Sequence, residues 1–419
     1  MYGKRIKAGA FVLEGLNSMT ATFHFYFIFW FLKAEFGFGS RENLVWAIGH
    51  GLVYVVASVY GGRYGQRRGY LRALRLGFAG MLAAFVAGWV LNGAGLSRGA
   101  EIAGQVLVMV VATVSICFTW PNLEALVSEG EPGHRLQRYI GIYNLVWSGA
   151  GSAAFFGGGA MIEALGERTV IFLIPGVLVA VQLGLLLVLA PGGGVAAGAG
   201  GGGGSTHGWL ASEGERRRSR VDPKVFLRMS WMANPCAYLA ISTAIPLIPT
   251  LAERLGLDAR MAGFFCSVWL FVRTATFVGL WQWSGWHYRF RWLAGAFVGM
   301  IAGFLCIFLG AAMEGLGRGA ALGVVLGAQV VFGVCIGLIY YSSLYYSMDV
   351  GDTKGDHGGI HEAAIGAGIL GGPLVGGVAQ WIRPGSTSVA AWAVSGVLLI
   401  GFGVLWRLWR RGSRSGGSG

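Results

Sequence analysis

From Val170 to Ala190 the chain carries no charged side chain, and stretches of similar length and character recur along the whole sequence. A helix needs about 20 apolar residues to cross a bilayer. Twelve stretches meet that requirement, at roughly 8–33, 44–62, 73–92, 102–124, 139–162, 169–190, 226–251, 261–283, 292–312, 320–347, 359–381 and 388–409. The sequence therefore predicts an all-α polytopic membrane protein with 12 transmembrane helices. Only 12% of residues are charged, about half the share of a soluble domain. Glycine supplies 73 of 419 residues, as suits membrane helices whose backbones approach closely. The first apolar run lacks a small-residue cleavage site and reads as a retained helix.

The net charge of +13 is explained by its distribution. With the amino terminus inside, 23 of the 32 Lys and Arg fall on the cytoplasmic side, 8 on the other, and Arg273 within a span. Positive charge concentrates on cytoplasmic loops, so both termini are placed in the cytoplasm, in a multi-pass protein of the cell (inner) membrane. The lipid bilayer accounts for the basic balance, and no nucleic-acid partner is expected. All five cysteines lie in apolar spans without metal or disulfide spacing and read as packing residues.

The chain divides in its middle. Residues 191–208 are nearly all glycine and alanine, and Glu213 to Arg228 is charged. Such a tract behaves as a flexible linker. The expected organisation is an N-terminal six-helix bundle (1–190), a cytoplasmic Gly-rich and basic linker (191–225), a C-terminal six-helix bundle (226–410) and a flexible tail (411–419). The halves echo each other weakly. Asn17 matches Asn234 at an offset of 217, and Gly141-Ile142 matches Gly359-Ile360 at 218. Small residues lie four apart at Ala150, Ala154 and Gly158, and again at Gly368, Gly372 and Gly376. These ridges suit close crossing, here expected at the interface between halves.

Polar side chains inside spans are few and costly. Glu14, Asn17 and His24 fall within an arc of about 80° on an ideal helix. They form either a cavity-facing track or one structural hydrogen-bond network. Arg273 sits near the middle of its span with no acid in its own helix. It either grips a carboxylate or phosphate or completes a buried ion pair. Asn234-Pro235, Pro246 and Pro249 are expected to break the seventh span, either near the substrate pathway or simply as kinks that give the helix curvature. Asp349, Asp352, Lys354, Asp356 and His357 read as solvated charge on a glycine-broken loop, not as a metal site. Tyr340, Tyr341, Tyr345 and Tyr346 read as interfacial tyrosines. Glu124 and Glu362 stand near cytoplasmic helix ends.

Between the second and third spans lies Gly62-Arg63-Tyr64-Gly65-Gln66-Arg67-Arg68-Gly69-Tyr70-Leu71-Arg72, an arginine-dense segment in which Gly62 and Gly69 are expected to reverse the chain. Together with twelve spans, the central linker and the glycine ridges, it resembles the major facilitator superfamily. The resemblance implies the major facilitator fold and a secondary transporter, not an enzyme, with no cofactor or metal. In the family an aspartate in this turn joins a charge relay that locks the outward-facing state. Here the position is Gln66, so the implied switch (Gly62, Gln66, Arg67, Gly69, Glu124, Glu362) is altered or built from Arg67 and Glu362. Drug antiporters of the family often carry Gly-Pro-x-x-Gly-Gly in the fifth span. This chain has Ala154-Phe155-Phe156-Gly157-Gly158-Gly159 there and the element itself at Gly372 to Gly377. The implied activity is alternating-access movement of a small organic solute by a monomer. It is proton-coupled through Glu14 or His24, with Arg273 holding an anionic part. The alternatives are an uncoupled facilitator, or a non-transporting sensor or assembly factor.

The charge distribution makes a direct prediction. Reporters fused at residue 205 and after Gly419 both read as cytoplasmic. Periplasmic activity at either site contradicts the topology.

Overall fold

The computed structural model describes residues 3–131, 133–191, 214, 219, 221–310, 317–350 and 354–415. Most of the linker at 191–225 and the end of the tail at 416–419 lie outside the described residues. The described chain is helical, as apolar surroundings demand, since a helix satisfies its own backbone hydrogen bonds. Eleven helices are long and apolar enough to cross a membrane.

The first rod is the exception. It runs as α1 (Lys4–Ala21), a π-helical segment (Thr22–Tyr26) and α2 (Ile28–Phe36), so it does not form one uninterrupted helix. It is followed by α3 (Ser40–Arg68), α4 (Tyr70–Leu91), α5 (Arg98–Cys117), α6 (Trp120–Ser128) and α7 (Gly133–Leu165). A second π-helical segment (Thr169–Leu173) leads into α8 (Ile174–Leu189). The later helices are α9 (Pro223–Arg254), α10 (Ala259–Cys266), α11 (Val268–Gln282), α12 (Phe290–Gly310), α13 (Arg318–Val350), α14 (Lys354–Ile382) and α15 (Thr387–Ser415).

Two compact units result. The first comprises Met1–Phe38, Gly49–Thr206 and Ala259–Phe264; the second comprises Gly39–Ile48, His207–Asp258 and Phe265–Gly419. In the first unit α1 packs on α7 and α8, and α4 on α5 and α8. Lys7 ties the start of α1 to the α6–α7 connection: its Nζ lies 2.6 Å from Glu131 Oε1 and donates to the Glu129 carbonyl at 2.6 Å. In the second unit α13 packs on α11 and α12, and α9 on α13, α14 and α15.

Three sequence expectations change. Helix α3 continues through Arg68, so Gly62 is helical and the reversal falls on Gly69 alone, at φ 99°. Glycine adopts that left-handed geometry without the strain a side chain meets. Helix α9 runs unbroken through Pro235, Pro246 and Pro249. Proline is tolerated inside membrane helices because local adjustment and neighbouring groups satisfy the freed backbone; in addition, Asn43 Nδ2 donates to the Pro246 carbonyl at 3.3 Å. The glycine ridge of α14 finds its partner inside its own unit: Gly368 lies against Pro235 and Tyr238, and Gly372 against Leu239 and Thr243, all on α9. The ridge of α7 does likewise, with Ala150 against Gly15 and Gly158 against Phe27.

A β-carbon on Gly372 would meet Thr243 Oγ1 at 2.8 Å, whereas one on Gly327 meets nothing within 4 Å. Overpacking of this kind costs about 1–3 kcal/mol. Scanning fluorimetry in detergent is expected to show a lower melting temperature for Gly372→Ala and no change for Gly327→Ala. Equal melting of the two variants contradicts the close α9–α14 crossing.

Candidate functional site

In the first unit the buried side of α1 carries Glu14, Asn17 and Ser18, positions that helical periodicity places together. Glu14 is 0% exposed. Ser18 Oγ donates to its Oε1 at 3.1 Å, and Oε2 has no partner of hydrogen-bond geometry. Trp120 and Tyr143 border the carboxylate, and Glu124 is near enough to interact with it unfavourably. Trp120 and Glu124 are one turn apart on the short helix α6, so one face of that helix serves the acid. Asn17 has a different task. Its Nδ2 donates to Thr119 Oγ1 at 3.1 Å, at the joint where α5 gives way to α6.

His24 does not continue this stripe. The π-helical turn alters the angular step after Ala21, so the ideal 100° count fails there. The His24 ring lies among Phe25, Phe85 and Phe172, and its Nδ1 lies 3.1 Å from the Ile171 carbonyl. Glu14 and His24 therefore have separate neighbours, which corrects the single track expected from sequence.

The turn residues are held by backbone fit. Gly61 lies against the Cys117 carbonyl and Gly65 against the Asn122 side chain. Asn122 Nδ2 in turn donates to the Gly61 carbonyl at 3.2 Å. Gln66 and Arg67 are exposed.

The second unit holds a column of aromatic and polar groups on α9, α11, α13 and α14. Arg273 is 4% exposed, and its guanidinium stands over the Trp269 ring, 5.3 Å from the centroid. Gly333 and Gly337 of α13 let α11 approach at Trp269, Val272 and Thr276. One turn beyond Arg273, Phe277 meets Tyr340 at 5.6 Å between centroids, and Tyr340 meets Tyr238 at 6.3 Å. His361 lies edge-on to Tyr340 at 5.4 Å, with its Nδ1 3.4 Å from Ser343 Oγ. Trp231 Nε1 donates to Ser347 Oγ at 2.7 Å. Asn234 is 0% exposed, with neither amide atom hydrogen-bonded. Glu362 is buried next to His361 in sequence.

Sequence reasoning missed most of this column, because it placed the acids and tyrosines at a solvated edge. All four tyrosines are buried. The connection between α11 and α12 folds back on the end of α13. There Tyr288 donates through its hydroxyl to Asp349 and through its backbone N–H to Tyr346 at 2.9 Å. His287 stacks on Tyr345 at 4.2 Å. Tyr288 holds a positive φ of 54°, uncommon for a bulky side chain. Asp349 is thus a buried structural acid, not solvated charge. Lys354, Asp356 and His357 lie in α14, not in a loop, and Asp352 lies outside the described residues. The usable signal was spacing: Trp231, Asn234 and Tyr238 share a helical face, as do Tyr340, Ser343 and Ser347.

Against known proteins, the family model described as Major Facilitator Superfamily matches residues 10–357. The chain belongs to the major facilitator superfamily. It is accordingly a multi-pass membrane transport protein and not an enzyme. No curated protein matches it by sequence. Among solved structures it is similar in fold to the nucleoside transporter NupG (12% identity, 96% of this chain and 99% of that one, TM-score 0.67). It is also similar to a bacterial homologue of the iron transporter ferroportin in its outward-facing state (14%, 97% and 99%, 0.65). A bacterial homologue of the human drug peptide transporters PepT1 and PepT2 matches equally well (14%, 97% and 99%, 0.65). The superfamily chain described here shares their fold at identities that carry no substrate assignment.

The Tyr288 clasp yields a prediction. A hydrogen bond to a charged group contributes about 1.5–3 kcal/mol. Tyr288→Phe removes the hydroxyl and is expected to lower the melting temperature in detergent, while Tyr60→Phe at an exposed position does not. An unchanged melting point for Tyr288→Phe contradicts the clasp.

Proposed function

We propose that the chain is a secondary active transporter of a small organic solute, driven by protons and working by alternating access of two six-helix halves. On this reading all twelve rods span the inner membrane, both termini are cytoplasmic, and the protein acts as a monomer. The observation that supports coupling is Glu14: a wholly buried acid held by Ser18 and bordered by Trp120, Tyr143 and a second acid, Glu124. An ionised carboxylate is costly to bury unless it is paired. The second acid adds to that cost, and taking up a proton removes it. Glu14, rather than the aromatic-packed His24, is the coupling group on this account.

Arg273 is the proposed anchor for an anionic part of the solute, because it is permanently charged and buried beside Trp269. The end of α3 from Gly62 and the reversal at Gly69, with Gln66, Arg67, Glu124 and Glu362, form the proposed conformational switch. Glu124 serves both ideas, since it shares α6 with the Asn122 that fits the turn.

Two measurements test these roles. In liposomes, Glu14→Gln is expected to abolish pH-driven accumulation while solute counterflow continues. Full accumulation by Glu14→Gln, or the loss of counterflow as well, contradicts coupling at Glu14. For Arg273, lysine keeps the charge but loses the two-pronged donor. Arg273→Lys should reduce uptake and Arg273→Ala should nearly remove it, both with wild-type melting. Breaking a buried ion pair instead costs about 3–5 kcal/mol, so a large fall in melting temperature with uptake retained makes Arg273 structural.

A further inference from the structure

Among the described buried groups of the second unit that leave hydrogen-bonding capacity unused, two lie close to the aromatic column. Neither Asn234 Nδ2 nor Oδ1 has a partner, and His361 Nε2 has none either; both residues are at least 99% buried. Buried polar atoms are nearly always paired, and exceptions call for an explanation such as an absent ligand or water.

Their neighbours put these groups at one level of one bundle. On α9, Asn234 falls within about 60° of Trp231 and Tyr238 around the helix. Tyr238 meets Tyr340, and Trp231 bonds Ser347, which brackets Asn234 opposite the Ser343 turn of α13. Ser343 is the residue that His361 Nδ1 approaches. The internal repeat reinforces the point. Asn17, the counterpart of Asn234 at an offset of 217, bonds Thr119, whereas the same offset from Thr119 leads to Ile336, which has no hydroxyl to offer. The first unit closes its asparagine; the second leaves it open.

We propose that Asn234 and His361 form a binding site for an uncharged ring bearing a cyclic amide edge. A carboxamide presents an N–H donor and a C=O acceptor side by side, the complement of a cis-amide edge, much as Asn reads the donor–acceptor edge of adenine. His361 Nε2 supplies one further contact in either tautomer. Tyr238 and Tyr340 offer flat walls suited to a ring. The site names the substrate class of the transport reading above and rests on it for its purpose, but binding itself does not require transport.

The test uses the full-length protein in detergent, with uracil as the cyclic-amide probe and glucose as a polyol control. Uracil is expected to raise the wild-type melting temperature and to bind at least tenfold more weakly to Asn234→Leu, Asn234→Ala and His361→Ala. Without any probe, Asn234→Leu should melt higher than wild type, because it removes an amide that is buried without partners. Asn234→Ala guards against a leucine that fails to fit. Equal uracil binding by the variants, binding of glucose alone, no binding of either probe, or a lower melting temperature for both Asn234 variants overturns the proposal. The last of these means that water completes the amide as a structural bridge. Uracil bound but never moved across liposomes sinks the transport reading and leaves the site standing.

Discussion

In hydrocarbon surroundings every polar group must find its partner within the protein, and the rest of this structure is arranged around that demand. The helices satisfy their own backbones. Polar side chains that enter them are tied across helices: Asn17 to Thr119, Gln182 to Thr20 at 3.1 Å, and Gln329 to the Phe265 carbonyl at 3.0 Å. Serine and threonine return to their own helix, as Thr243 does to the Leu239 carbonyl at 2.9 Å. Against this background Asn234, with both amide atoms unmet, and His361, with Nε2 unmet, mark the proposed ligand site.

Close approach makes those ties possible. Asn122 reaches the Gly61 carbonyl because Gly61 and Gly65 present bare backbone to the α5–α6 joint. Gly333 and Gly337 bring α11, with Arg273 and Phe277, against the tyrosine face of α13. Gly368 and Gly372 do the same for α14 on α9, while Tyr340 and Ser343 of α13 hold His361. The abundance of glycine is thus a condition for where the polar residues end up, and only incidentally a matter of flexibility.

Eleven of the spans and the helical character were legible because length and apolar composition alone determine them. The small-residue ridges were legible as ridges, but not their partners, since a smooth face does not name what lies on it. His24 was misplaced because no residue pattern announces a π-helical turn, and one altered step redirects everything beyond it. Hydropathy makes the tyrosines interfacial and Asp349 solvated loop charge because it cannot show a loop folding back; Tyr288 and His287 cover Asp349, Tyr345 and Tyr346. The prolines of α9 were read as breaks by local rules that neighbouring helices override. Glu14, Asn234 and Arg273 stand out in the sequence as polar residues inside apolar spans, and all three are buried, but their partners come from tertiary contacts that the sequence does not display.

The coupling proposed for Glu14 requires that a proton and a solute move together through this member of the superfamily. The most direct measurement follows protons rather than solute. Wild-type protein is reconstituted in liposomes containing a pH-sensitive dye, and candidate solutes are added outside without any other driving force. The account predicts proton movement that begins only when a transported solute is present and that scales with its uptake. Uptake of solute with no accompanying proton movement would contradict it.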